Sequence, residues 1–398
     1  MGDATLMSGT AAIPEQRGLG FVGPDDQHAL DARCDPWSIR MANSCIQWHP
    51  ILSEQWSYES GVVLKGIEQV WFDTGDWKYL AYIRRNINQF VMPDGSIYTY
   101  RLEDYNLDQI NTGKLLFSLY RETGDERYRR ALQLLMRQLV TQPRTSEGGF
   151  WHKKIYPFQV WLDSVYMAAP FCAQYAHYFD EPAGFDTAAH QILLIERHAR
   201  DTKTGLFYHG WDESRMQKWA NVRTGCSPHF WGRAMGWYAM AIVDVLEFLP
   251  ASHQARDRII TILERMIASL IVVQDRTTGL WYQILDRGGW KGNYTEGSAS
   301  CMFVYAIAKG IRNRSLDSQS LEAAQKGFAG IIENLVDVDA YGRVNLKQIC
   351  QVAGLGGEQQ RDGSYEYYLS EPVVANDRKG VGAFILASSE MQRLGRSV

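Results

Sequence analysis

The chain has little of what most quickly assigns a protein to a class. Its six cysteines, Cys34, Cys45, Cys172, Cys226, Cys301 and Cys350, are scattered over 398 residues, and no two form a CxxC pair. This leaves no disulfide framework and no zinc signature. Cys172 and Cys301 fall in apolar helical patterns and read as small core residues. No stretch approaches the ~18 uninterrupted apolar residues of a membrane-spanning helix. The N-terminus lacks a basic start followed by an apolar run, so no signal peptide is legible and a cytoplasmic location is the expectation. Net charge is −4, and no basic stripe is interleaved with aromatics, which excludes a nucleic-acid surface. Alternating apolar and polar residues are scarce, leaving room only for short strands in loops. Ala353-Gly354-Leu355-Gly356-Gly357 has the glycines of a phosphate loop but no preceding strand and no following Lys-Ser/Thr, and reads as a flexible rim.

What is abundant is aromatic: 13 Trp, 21 Tyr and 15 Phe, many beside glycine or polar residues rather than inside apolar runs. Such placements suit the wall of a sugar cleft. Residues 1–30 show little period and read as a flexible or strapped-on arm. A helix is expected over 36–47, with Asp35 as cap and Pro36 in the first turn. From there the chain repeats itself. Tyr58–Phe72 and Trp77–Phe90 flank Asp73-Thr74-Gly75-Asp76; Asp108–Arg121 and Glu126–Thr141 flank Glu122-Thr123-Gly124-Asp125. The shared Thr-Gly-Asp places a glycine at one helix end and an Asp cap at the next start. Further helix pairs fall at 163–179 with 185–200, 229–249 with 253–274, and 296–312 with 318–336, and a last helix at 375–394. Two loops echo each other as Asp-x-x-Thr-Gly-Leu-aromatic-Tyr, at Asp201–Tyr208 and Asp275–Tyr282.

The first helix of each pair is the more apolar and richer in small residues, as an inner helix should be. Its partner is amphipathic, as an outer one should be. Six inner helices, five outer ones and the N-terminal helix make an all-α, six-hairpin toroid, an (α/α)6 barrel spanning residues 31–398 as a single catalytic domain. A closed ring also reconciles this length with one domain. The loops entering the inner helices gather at one end, and they are the ones dense in Trp, His, Arg and Asp.

Two aspartates stand at the starts of neighbouring inner helices, Asp108 after Tyr105-Asn106-Leu107 and Asp163 after Trp161-Leu162. Adjacent inner helices pack roughly 8–10 Å apart, so both carboxyls are placed to face one cavity. Asp163 has a plainer reading as a helix cap. Paired acids in different surroundings can divide the work of sugar chemistry. His152 and His209 are read either as hydroxyl-binding groups or as ordinary loop polar residues. Arg233 begins an otherwise apolar helix, where a lone cation is costly. It reads as a salt bridge to a helix-start Asp or as a clamp on a substrate carboxylate.

Leu107-Asp108-Gln109-Ile110-Asn111, Gly149-Phe150-Trp151-His152-Lys153, Trp161-Leu162-Asp163-Ser164-Val165-Tyr166-Met167 and Trp231-Gly232-Arg233-Ala234-Met235-Gly236-Trp237 resemble the unsaturated rhamnogalacturonyl hydrolases of glycoside hydrolase family 105, related to the unsaturated glucuronyl hydrolases of family 88. The resemblance runs from about residue 37 to the C-terminus and implies an (α/α)6 barrel. It also implies hydration of the 4,5 double bond that pectin lyases leave on a terminal uronate, followed by release of the neighbouring sugar, typically rhamnose. Asp163 matches the acid that protonates C4, and Asp108 the second aspartate. Asp163 must then start protonated, which asks for burial or a neighbouring carboxylate. Tyr58, Trp151, His152, Lys153, Trp161, Met167, His209, Arg233 and Trp237 are expected to bind the substrate, with Arg233 favoured for its carboxylate on charge. No metal or organic cofactor is implied, because a vinyl ether needs only a proton and water. The partner is a small oligosaccharide. Two other readings stay open: a sugar epimerase on the same toroid, which would lean on paired histidines, and a non-catalytic sugar-binding protein.

Overall fold

The computed structural model describes residues 35–397; the arm expected over 1–30 lies outside them. Helices alternate with loops along the whole described length. They are α1 (Trp37–Trp48), α2 (Tyr58–Thr74), α3 (Trp77–Ile87), α4 (Asp108–Asn111), α5 (Lys114–Thr123), α6 (Glu126–Thr141), α7 (Leu162–Phe179), α8 (Ala183–Ala199), α9 (Gly232–Phe248), α10 (Arg256–Val272), α11 (Gly297–Arg312), α12 (Leu321–Asn334), α13 (Tyr365–Ser370) and α14 (Arg378–Ser397).

The packing closes a ring. Helix α2 packs on α4 and α5, α4 and α5 on α7, α7 on α9, α9 on α11, α11 on α14, and α14 back on α2. Outside them lie α3 behind α2, α6 behind α5, α8 behind α7, α10 behind α9, α12 behind α11, and α1 behind α14. This is the (α/α)6 barrel expected from the repeats. Its last hairpin is assembled from the two ends of the described chain. The division of labour is written in burial. Every residue of α7 from Ser164 to Ala176 is buried, whereas α6 buries a stripe of Tyr128, Ala131, Leu132, Leu135 and Leu139. An inner helix is surrounded by protein and an outer one faces water on one side.

The Thr-Gly-Asp turns do the same job twice. Gly75 and Gly124 adopt left-handed φ of 69° and 65°, and their N–H groups donate to Trp71 and Tyr120 at 2.8 Å. Asp76 and Asp125 then cap α3 and α6, accepting from Lys78 N at 2.9 Å and Arg127 N at 3.0 Å.

Three expectations need correcting. Asp35 does not cap the first helix: Pro36 takes that position, and its carbonyl accepts from Arg40 N at 3.0 Å. The helix expected over 108–121 breaks after Asn111. Thr112 Oγ1 and Asn111 Nδ2 turn to donate to the carbonyls of Ser57 and Tyr58, at 2.8 and 3.1 Å, and tie the break to the start of α2. The rim at 353–357 is packed down rather than loose, with Leu355 fully buried against Trp161 and Trp219.

The strands are short, as anticipated. β1 (Gln159–Trp161) pairs with β2 (Gly210–Asp212), β3 (Val336–Val338) with β4 (Val344–Leu346), and β5 (Ile349–Cys350) with β6 (Val373–Val374), all antiparallel. Cys45, Cys172, Cys226, Cys301 and Cys350 are free and buried. No described helix is long and apolar enough to cross a membrane.

Candidate active site

The aromatic end of the ring is built around Trp161. In the β1–β2 ladder Trp161 stands opposite Gly210, and Leu162 N donates to His209 O at 3.0 Å. A side chain at Gly210 would collide with the Trp161 ring, where an added Cβ would lie 2.9 Å from Cδ1. That ladder brings the first turn of α7 beside His209, so Asp163 Oδ2 lies 3.3 Å from His209 Nε2. Asp163 takes no backbone N–H and so does not cap its helix. The opening of α7 is closed instead by Ser164, whose Oγ accepts from Trp161 N at 3.2 Å. The same Oγ lies 3.0 Å from His152 Nδ1. Trp161 thus stands between the two histidines, stacked on His152 at 4.4 Å and edge-on to His209 at 5.4 Å. Tyr156 covers the outer side of Trp161 at 5.0 Å.

The two carboxylates are treated differently. Asp108 lies 2.6 Å from Lys153 Nζ and 3.7 Å from His152 Nε2. Burial pushes its carboxyl up, but the Lys153 ammonium, helped by His152 and Lys379, outweighs burial and holds it below the ordinary range. Asp108 is therefore an anion at neutral pH. Burial dominates at His152 and lowers its imidazole to about 4, so His152 is neutral there despite Asp108. Among the described residues, no lysine or arginine lies within ion-pair distance of Asp163. Its Oδ2 and His209 Nε2 are both buried, face each other without hydrogen-bond alignment, and have no other partner. Buried polar atoms are seldom left this way outside sites that receive a ligand or water. On its other side His209 Nδ1 meets the Tyr368 hydroxyl at 2.8 Å. Burial holds the Tyr368 phenol far above its ordinary value, so that hydroxyl keeps its proton.

Tyr58 joins the two halves. Burial first, then the charges of Asp108, Glu59 and Asp163, raise its phenol well above normal, while Arg233 opposes them. Tyr58 thus lies within electrostatic reach of Asp108, Asp163 and Arg233. Arg233 is 1% exposed. It faces Glu296 at 3.5 Å and donates through Nη2 to the Cys350 carbonyl. The helix-start partner is a glutamate and not the expected Asp, and it also caps α11 by accepting from Ala299 N at 2.6 Å. Arg233 Nε and Nη1 remain buried without partners. Met167 and Trp237 lie one turn below Asp163 and Arg233, each 1% exposed, in the floor of the site rather than its wall. Trp151 packs on Phe158 at 4.8 Å, further out.

Tyr156, Ser164, Arg361 and Tyr368 were not singled out from the sequence. Arg361 Nη2 donates to the Tyr156 hydroxyl at 3.0 Å and ties the rim loop to the Trp161 stack. The aromatic run Tyr365-Glu366-Tyr367-Tyr368 was the available signal for Tyr368. It stands outside the hairpin repeat, which gives it no period to be recognised by.

A six-hairpin toroid with two aspartates and a stacked Trp161–His152 pair at the aromatic end of the ring suits a glycosidase. The chain belongs to glycosyl hydrolase family 88, whose family model matches residues 37–395. A solved glycoside hydrolase of family 105 from C. acetobutylicum is 47% identical, with a TM-score of 0.89, covering 90% of this chain and all of that one. The match at that identity and coverage places the chain in family 105. A structure from Klebsiella pneumoniae described as a possible member of the same family is 25% identical, with a TM-score of 0.75, over 96% of both chains. The unsaturated rhamnogalacturonyl hydrolase of Bacillus subtilis is 25% identical over 298 residues, 73% of this chain and 79% of that one. The epimerase and the non-catalytic binder are set aside by this membership.

Proposed function

We propose that this glycosidase hydrates the C4=C5 double bond of an unsaturated uronyl residue at the end of a lyase-cut oligosaccharide, with unsaturated galacturonyl-rhamnose as its substrate. The observation that carries the reading is the contrast between the acids. Asp108 is saturated by Lys153, whereas Asp163 Oδ2 lies buried and unsatisfied beside Trp161 and His209. Asp163 gives its proton to C4. A water adds its hydroxide to C5 and returns its proton to Asp163. The resulting C5 hemiketal opens to a ketone, and the C1 hemiacetal left behind expels the neighbouring sugar. The Tyr368–His209 pair holds the Asp163 side of the cleft, and ionised Asp108 with Lys153 orients the sugar hydroxyls. Arg233, whose Nε and Nη1 nitrogens are unpartnered, meets the uronate carboxylate. The similarity to the Bacillus subtilis hydrolase supports this choice of substrate.

The test follows the ultraviolet absorbance of the conjugated uronate with unsaturated rhamnogalacturonan disaccharide. Wild type should bleach it, and Asp163→Asn should lose ~10²–10⁴ in rate, the range for a general acid. Equal bleaching by both proteins removes Asp163 as the acid. No bleaching by wild type removes this substrate, and the unsaturated glucuronyl disaccharide is then the next to assay.

A further inference from the structure

The inner helices enclose a second space at the end of the ring away from Asp163. It has a volume of about 260 Å³, and all six positions of the inner ring contribute to its wall, among them Glu68 on α2, Lys114 on α5, Gln174 on α7, Asp244 on α9, Lys309 on α11 and Leu386 on α14. The layer that divides it from the cleft is aromatic. Tyr166, one turn below Asp163, stacks at 4.7 Å on Trp237, one turn below Arg233. Lys114 Nζ rests 3.8 Å from the centre of the Tyr166 ring.

The other charges of this space have partners. Lys309 holds both Asp244 and Glu247 at 2.7 Å, and the Tyr305 hydroxyl donates to Asp244 at 2.6 Å. Lys65 and Ser118 hold Glu68. Arg393 meets Asp73 and Glu390, and Arg121 meets Glu122 at the surface. Lys114 differs: it is 2% exposed and its ammonium has no hydrogen-bond partner. The face of the Tyr166 ring attracts it, but by less than burying an unpaired ammonium costs. Such a group either sheds its proton or meets an anion. A cation finds no vacancy here, because lysines already hold all three carboxylates. An anion finds an uncommitted ammonium, with the Lys65 and Lys309 charges nearby.

We propose that this basal cavity binds one small oxyanion, an inorganic one or the carboxylate of a sugar acid, on the Lys114 ammonium. Burial lowers Lys114 to about 7 when the cavity holds no anion, with Asp244 and Glu68 opposing and Lys65 and Lys309 assisting. Binding above that pH therefore takes one proton from the buffer to make the ammonium.

The experiment is titration calorimetry on the full chain about one pH unit above that value, in two buffers of different ionisation enthalpy. Inorganic sulfate and galacturonate are separate probes, since neither titrates there. The expected result is one site that takes up close to one proton. Lys114→Met should weaken it at least roughly tenfold, as for losing a charged hydrogen-bond partner, and abolish the uptake. Lys153→Met, at the other end of the ring, should leave it intact. Sulfate alone binding assigns an inorganic anion, and galacturonate alone a sugar acid. No binding to wild type, binding without proton uptake, or equal binding to Lys114→Met overturns the proposal. Proton uptake is read on wild type, so the test stands even where Lys114→Met fails to fold.

Discussion

Asp108 and Asp163 are the same side chain in the first turn of neighbouring inner helices, one position apart in register, and their neighbours set them apart. Lys153 fixes Asp108 as an anion. Lys153→Met should therefore lower kcat/KM on the unsaturated disaccharide, with Asp108→Asn losing at least as much, both read by loss of ultraviolet absorbance. His152 has a consequence for stability. Its folded value is about 4 against an ordinary value of 6.5. Between those limits the unfolded chain binds a proton that the native state refuses, so stability falls as pH drops through that window, by on the order of 3 kcal/mol in all. Urea midpoints measured across the window should show that slope, and His152→Gln should flatten it. At Arg233 the charge that the sequence marked as costly is met by Glu296. Glu296→Gln leaves a buried guanidinium without its counter-charge and should cost ~3–5 kcal/mol in urea unfolding. Charge, helix position and spacing made Asp108, Asp163 and Arg233 legible. Glu296 as the partner of Arg233 and Tyr368 as the partner of His209 were not, because they come from 63 and 159 positions away in the chain.

The repeated Asp-x-x-Thr-Gly-Leu-aromatic-Tyr segment is a device built twice. Asp201 accepts from Thr204 N and Oγ1, both at 2.8 Å, and lies 3.4 Å from the Tyr208 hydroxyl. Asp275 accepts from Thr278 N and Oγ1 at 2.7 and 2.8 Å, and from the Tyr282 hydroxyl at 3.0 Å. Each loop delivers the residue after its tyrosine to the cleft end: His209 in the first, and Gln283, which bonds Trp231 Nε1 at 3.0 Å, in the second. Asp201→Ala and Asp275→Ala should each lower Tm by a few degrees, on the order of 1–2 kcal/mol. Asp201→Ala should also reduce turnover, because His209 follows directly. Equal turnover losses in the two variants would deny the first loop its special role. Helix existence was readable from apolar spacing and from Thr-Gly-Asp turns. The break between α4 and α5 was not: Thr112 and Gly113 keep helical dihedrals, but the turn tightens to i→i+3 bonds, as from Gly113 N to Ile110 O at 2.9 Å, while the side chains of Thr112 and Asn111 bind carbonyls 55 and 53 residues away. Tertiary hydrogen bonding overrode a good local pattern there.

At the scale of the whole molecule, the repeat count was enough to foresee a closed ring, because a sixth hairpin could be completed only by the first and last helices. The second, basal cavity left no trace in the sequence: its wall is drawn from every inner helix, and no single segment looks like a site. Helix α14 packs against α11, α2 and α1 at once. Deleting residues 378–398 should therefore remove cooperative unfolding altogether rather than lower its midpoint, as seen by circular dichroism against denaturant.

The closure of the last hairpin by α1 and α14 also bears on synthesis. Helix α1 leaves the ribosome first among the described elements, and its partner emerges last. At ~5–20 residues per second, α1 waits tens of seconds for a helix more than 300 positions away in the chain. During that interval the inner faces of α2 and α11, which α14 will later cover, stay open to solvent. The nascent chain is an incomplete arc with apolar ends, so a chaperone that shields those ends should raise the yield of native protein, and a stalled chain should aggregate.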